Sequence, residues 1–331
     1  MPKAYSIYVE DMAALFAVLE GFSQVGETWI YRGQADARWP LASSLERAVT
    51  NYARQQNLHI NVSEVERDIM EMGRRILKAR PDTVTFIDDD LDLLAYIQHH
   101  GGITRLLDLT DSFTIALFFA VNESTSEFAT VWCLNRRKVN GMPSHREVRR
   151  ELAQEILAEK REINAVFSFA PLLLNERMVA QQGLFLFPCA VKRNLQGLLF
   201  DSLELGYTDK KALEFPQERD LLQKLCCLHC FANEEHSAEC SQQYMLWDRQ
   251  MVVDFMQSQL GIGNCKIVGE PNACIIRINI QKSLFMKTQE MLRKLNVARN
   301  TLFPPGVEGI CRSLNFLASG YRHHSAFESC N

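Results

Sequence analysis

Apolar positions recur at different periods along this chain, and the period predicts the element. Over residues 7–20, Val9, Met12, Leu15 and Leu19 fall at helical spacing and predict a short helix. Trp29, Ile30 and Tyr31 then form an apolar strand that stops at Gly33. Ser63 followed by Glu66 reads as a capping box, with Val65, Ile69, Met72 and Ile76 as one apolar stripe behind it. That pattern predicts an amphipathic helix over 64–80, closed by Pro81. The acidic run Asp88, Asp89, Asp90 and Asp92 sits where the next helix starts, and a solvated helix start is preferred over a metal site. That helix carries Leu91, Leu94 and Ile97 and ends at His99, His100, Gly101 and Gly102.

Residues 103–110 read as an irregular segment or short strand. Asp111 or Ser112 then caps a helix with Phe113, Ala116, Leu117 and Ala120 on its apolar face. Residues 128–134 predict a strand, and 136–161 a charge-rich loop and exposed helix. Residues 184–190 and 274–280 are the clearest later strands. The second alternates Cys274, Ile276, Ile278 and Ile280 against Arg277. Helices over 284–295 and 307–319 close the pattern. Helices and strands mix without regular alternation, so the expected fold is α+β, with a mixed, mostly antiparallel sheet and flanking helices.

Composition narrows the function classes. The 331 residues carry 36 Lys and Arg against 40 Asp and Glu, a net charge of −4, and 47% are hydrophobic. A disordered chain would hold fewer apolar residues, and a dedicated nucleic-acid binder would show a basic excess. Met1, Pro2, Lys3 and Ala4 start no apolar signal segment, and no stretch reaches the roughly 20 apolar residues of a membrane span. The expectation is a reduced, cytoplasmic protein with no membrane partner, its ten cysteines mostly small buried hydrophobes. Cys227, Cys230, His236 and Cys240 have spacing compatible with zinc, but their apolar surroundings and missing glycine knuckles favour packing. No metal site is assigned.

Two stretches carry candidate chemistry. Tyr31-Arg32-Gly33-Gln34 puts an arginine fork, suited to phosphate or carboxylate, beside a glycine that lets a ligand or a neighbouring backbone approach. The alternative is an exposed turn with an incidental arginine. Residues 98–110 are polar yet bracketed by apolar segments, so Arg105 and Asp108 are expected to be buried hydrogen-bonding hubs. The adjacent side chains of His99 and His100 diverge, which argues against joint metal chelation. No Gly-rich dinucleotide fingerprint or P-loop appears, and Gly261-x-Gly263 lacks both a third glycine and a preceding strand.

Together these stretches resemble the FRG-domain family. Its signature stands here as Tyr31-Arg32-Gly33-Gln34, then Trp39 and Leu45-Glu46-Arg47. There follow Gln98-His99-His100-Gly101-Gly102-Ile103-Thr104-Arg105-Leu106-Leu107-Asp108-Leu109-Thr110 and the small-apolar run Ala116 to Val121. His100, Gly102, Ile103 and Leu109 depart from the usual residues, while Arg105, Asp108 and Thr110 are intact. Weaker matches continue at Arg177 to Gly183 and at Thr301 to Pro305, running into Glu308 and Gly309. The resemblance implies one broad domain over 1–320, with a signature core at 25–135, a charged helical insertion at 136–165, a strand-helix part at 177–320 and a tail at 321–331.

More distantly, the order Arg32, residues 98–120 and Glu308 is similar to ADP-ribosyltransferase folds. That likeness implies NAD as substrate, with Arg32, Glu308 and His99 as catalytic residues. Tyr31, Arg32, Gly33, Gln34, Gln98, Thr104 and Arg105 would then bind the cofactor. Glu308 would hold the ribose 2′-OH and stabilise charge at the anomeric carbon. The FRG resemblance further implies a bacterial or phage protein acting in defence or phage–host conflict, with a protein or nucleic acid as acceptor. One competing reading is a sensor in which Arg32, Arg47, Arg105 and Gln34 bind a small anion without turnover. Another is a nucleic-acid surface of Arg136, Arg137, Lys138, Arg146, Arg149 and Arg150, although Glu147, Glu151 and Glu155 are interleaved with it.

Overall fold

The computed structural model describes residues 5–24, 29–78, 89–139, 146–161, 163–171, 176–204, 266–268 and 275–303. Its frame is one 8-stranded sheet. In chain order the strands are β1 (Tyr5–Val9), β2 (Trp29–Gln34), β3 (Leu107–Thr110), β4 (Phe128–Asn135), β5 (Val166–Phe169), β6 (Gly183–Pro188), β7 (Lys266–Val268) and β8 (Ile275–Gln281). They lie side by side as β5-β6-β3-β2-β4-β8-β1-β7. Among the described strands only β1 and β8 pair in parallel; the other neighbours are antiparallel, as an α+β fold requires.

Helices cover both faces. On one face α1 (Met12–Gln24), α5 (Phe113–Val121) and α10 (Phe285–Lys294) enclose Tyr31, Val131, Cys133, Ile276, Ile278 and Ile280. On the other, α9 (Leu195–Glu204) and Val139 of the short α6 (Arg136–Val139) pack on Ile30, Leu109, Trp132 and Leu186. A third apolar cluster joins α3 (Val62–Leu77), α4 (Asp90–His99) and α7 (Arg146–Leu157) to Phe167, Phe185 and Phe187. The remaining α-helices among the described residues are α2 (Ser44–Gln56), α8 (Glu176–Ala180) and α11 (Arg299–Leu302).

Several elements differ from the periodic reading. Residues 7–20 divide: Ile7 and Val9 are alternate buried positions of β1, and Asp11 accepts from the Ala14 N–H at 2.8 Å to start α1. One strand position followed by helical ones mimicked a single helical stripe. In α3 the cap is Asn61, whose side chain accepts from the Ser63 N–H, so Ser63 and Glu66 form no capping box. The buried face of α3 runs through Ser63, Glu66, Met70 and Leu77, leaving Met72 and Ile76 exposed. Glu66 decides this rotation, because it meets a buried arginine described below. Asp89 caps α4, accepting from Leu91 and Asp92 N–H groups at 2.9 and 3.2 Å. The helix in the charged stretch is not wholly exposed, since Leu152, Ala153 and Ile156 of α7 are buried. The helix expected over 307–319, the cysteines at 226–240, Gly261 and Gly263 lie outside the described residues.

Candidate functional site

Strand alternation divides the Tyr31-Arg32-Gly33-Gln34 signature between two faces of the sheet. Tyr31 points into the core, with its ring 5.6 Å from that of Phe22 and 5.4 Å from that of Phe113. Burial pushes its phenol pKa far above the ordinary value. Gly33 shares that face. A Cβ there would stand 1.9 Å from the Ala116 carbonyl oxygen, so this glycine lets the α5 backbone approach β2. Of the two uses the sequence allowed for Gly33, the structure shows the neighbouring backbone.

Arg32 and Gln34 take the opposite face. Gln34 is buried, donating to the Pro40 carbonyl at 3.2 Å and accepting from the Trp132 indole N–H at 2.7 Å. Arg32 occupies a break in the ladder. While β2 pairs with β4 from Trp29 to Gln34, it pairs with β3 only at Tyr31 and Thr110. Past that pair Arg32 Nη1 donates to the Asp108 carbonyl at 2.7 Å and lies 3.8 Å from the Asp108 carboxylate. A side chain thus supplies a bond that the backbone would otherwise make.

The network continues from there. Gln98 Nε2 donates to Asp108 Oδ2 at 3.0 Å, and Thr104 Oγ1 donates to Gln98 Oε1 at 2.6 Å. Ser44, in the first turn of α2, accepts from the Thr104 N–H at 3.0 Å and donates to the Thr104 carbonyl at 3.1 Å. Arg32, Asp108, Gln98 and Thr104 therefore converge, although 76 positions separate the first two in sequence. The result is a fixed guanidinium beside an open carboxylate: the Arg32 side chain is 18% exposed and that of Asp108 59%.

Burial lowers the Arg32 pKa, the Asp108 charge raises it, and nearby Arg47 lowers it again. Arg32 Nε is enclosed without a hydrogen-bond partner. A guanidinium repelled by another guanidinium and missing one acceptor is suited to hold an anion.

Asp108 is therefore an exposed rim residue rather than the buried hub expected for it, because the β3 alternation that buries Leu107 and Leu109 turns it outward. Arg105 is a hub, with a partner the sequence did not indicate. It is buried against Glu66, donating through Nε to Oε1 at 2.6 Å and through Nη2 to Oε2. Its Nη1 donates to the Pro188 carbonyl at 3.1 Å, and its guanidinium lies 4.9 Å from the Phe187 ring centroid. Every described contact of Arg105 is thus with the wall behind the rim. Two contributors escaped sequence reading: Ser44, which resembles an ordinary cap-region serine, and Glu66, whose spacing from Ser63 imitated a capping box.

His99 ends α4, its ring edge-on to His100 with centroids 5.1 Å apart. Glu308, Cys227, Cys230, His236 and Cys240 lie outside the described residues, as do the side chains of Arg137, Lys138 and Arg146. Three arginines of the proposed basic surface are tied to different elements. Arg136 bonds Asp111 at 2.8 Å, Arg149 donates to the Ser168 carbonyl at 2.8 Å, and Arg150 lies 3.6 Å from Asp89. Among the described residues no group of three His, Cys, Asp or Glu side chains is placed to hold a metal. No described helix is long and apolar enough to cross a membrane.

Residues 27–128 match the FRG domain, a span that contains Arg32, Ser44, Gln98, Thr104 and Asp108. No curated protein and no solved structure matches the chain.

Proposed function

With an FRG domain over residues 27–128 as the premise, we propose that the Arg32–Asp108 cluster binds an anionic nucleotide and cleaves the N-glycosidic bond of NAD. The observation that carries this reading is the pairing of a held guanidinium with an exposed, oriented carboxylate where two strands come apart. In the proposed reaction Arg32 and Arg47 attract the diphosphate. Asp108, fixed by Gln98, faces the ribose and stabilises positive charge at the anomeric carbon. The C–N bond breaks, its electron pair leaves with nicotinamide, and water or a macromolecular nucleophile adds to the anomeric carbon with loss of one proton. Asp108 here takes the role that the family likeness implies for Glu308. NAD consumption of this kind suits the phage–host conflict that the FRG resemblance implies.

Incubating the full chain with NAD and following the products by mass spectrometry tests this. Nicotinamide is expected together with ADP-ribose or an ADP-ribosyl adduct, and both signals should disappear in Arg32→Ala and Asp108→Asn. Folded wild-type protein that releases no nicotinamide, with or without protein and nucleic-acid acceptors, rejects the enzymatic reading. A second reading, anion sensing without turnover, rests on the unsatisfied Arg32 Nε and the neighbouring Arg47 charge. Saturable ADP-ribose binding that Arg32→Ala abolishes, in the absence of turnover, would establish it.

A further inference from the structure

The face of the sheet that carries Arg32 continues across β4 and β8 as a row of polar side chains. Arg32 stands opposite Trp132, and Trp132 opposite Arg277; Gln34 stands opposite Thr130, and Thr130 opposite Asn279. The reverse face of the same strands holds Val131, Cys133, Ile276, Ile278 and Ile280. Thr130 and Asn279 are 0% and 1% exposed. Arg277 lies over the Trp132 ring at 4.6 Å from the centroid and donates to the Ala37 carbonyl. Yet Thr130 Oγ1, Asn279 Oδ1 and Arg277 Nε are closed off from solvent with no hydrogen-bond partner. Apolar residues of similar shape would avoid that cost, so polar groups at neighbouring positions mark a place built for a missing partner.

We infer that Thr130, Asn279 and Arg277 form a subsite for the planar donor–acceptor edge of a carboxamide or a nucleobase. Asn279 Oδ1 takes a ligand N–H, Arg277 Nε gives a proton to a ligand acceptor, and Thr130 serves either way. Thr130 and Asn279 are cross-strand neighbours, so one planar group set between them would meet both. The backbones of Arg32 and Arg277 are two strand spacings apart, roughly 10 Å, with buried Trp132 between them. The subsite does not rest on the nucleotide reading at Arg32, because its three side chains would take the ligand by themselves.

Fragments without phosphate separate the two ideas. Nicotinamide and adenosine are each titrated into the full chain by calorimetry, the first testing a carboxamide and the second a nucleobase. One of them is expected to bind saturably, with affinity roughly tenfold or more weaker in Asn279→Leu and in Arg277→Lys, which removes the Nε donor. Thr130→Val keeps the side-chain shape, so it should weaken the fragment while leaving the melting temperature of the free protein unchanged or higher. This variant carries the test if Asn279→Leu does not fold. Failure of both fragments to bind, equal binding by all variants, or a lower melting temperature in Thr130→Val would overturn the subsite and leave an internal water only. Fragment binding without NAD turnover would reject the reaction at Arg32 and leave the subsite standing.

Discussion

Arg32 and Arg105 both lie in the stretch that matches the FRG domain, yet their surroundings differ in kind. Arg105 is sealed between α3 and β6, with its charge matched by Glu66 and its remaining bonds made to backbone. Arg32 stands where β2 and β3 come apart, partly exposed, one nitrogen unpartnered and another cation nearby. A satisfied buried pair organises a core, whereas an incompletely satisfied guanidinium beside an open carboxylate is free to meet a ligand.

The contrast can be broken most forcefully at Glu66. Glu66→Ala strands the buried Arg105 charge and should lower folding stability by about 3–5 kcal/mol, measured by urea denaturation. A loss as small as that of an exposed salt bridge would show that Arg105 is solvated after all. Next comes Gly33→Ala, which drives a Cβ against the α5 backbone and should cost about 1–3 kcal/mol without removing any polar group of the site. Arg32→Ala should stay within about 1 kcal/mol of wild type, because its hydrogen bond to Asp108 is half open, while ligand binding is lost. If Arg32→Ala destabilised the chain as much as Glu66→Ala, the two arginines would be doing one job.

The smallest effect is a reporter of the wall alone. Burial pushes the Cys189 thiol up to about 12, with Arg105 opposing that rise, so native Cys189 should resist alkylation near neutral pH. Site-resolved mass spectrometry should find faster Cys189 labelling in Glu66→Ala and an unchanged rate in Arg32→Ala. Acceleration in both variants would tie the ladder opening mechanically to the wall.

Much of the frame was legible. The strands around residues 128–135, 183–188 and 275–281 and the helices after Asp89 and Ser112 follow from local period and capping, because each residue type there agrees with its own neighbours. Where a position answers to a distant partner, local pattern misled. The Val65, Ile69, Met72 and Ile76 stripe looked like the buried face of α3, but Glu66 must reach Arg105, and the helix turns accordingly. Val9 looked helical until β8 paired with β1. Within the site, the sequence marked Arg32 as a binding arginine, and the ADP-ribosyltransferase likeness added Gln98 and Thr104. Asp108 was misplaced as buried, and Ser44 was overlooked, since neither exposure nor a hydrogen bond spanning 60 positions leaves a trace in neighbouring residues.

The sequence by itself determined the α+β class, most element positions and the FRG match over residues 27–128, because period, capping and motif spacing are properties of short stretches of chain. Only the tertiary structure decided which signature residues share a surface. Strand alternation sent Tyr31 and Gly33 into the core and Arg32 and Gln34 to the opposite face, and the single-pair contact of β2 with β3 made room for Arg32 to meet Asp108. It also brought Thr130, Asn279 and Arg277 together from strands far apart in sequence. Hydrogen bonds and ion pairs form between groups that folding makes adjacent, so their pairing is written in the packing rather than in the order of residues.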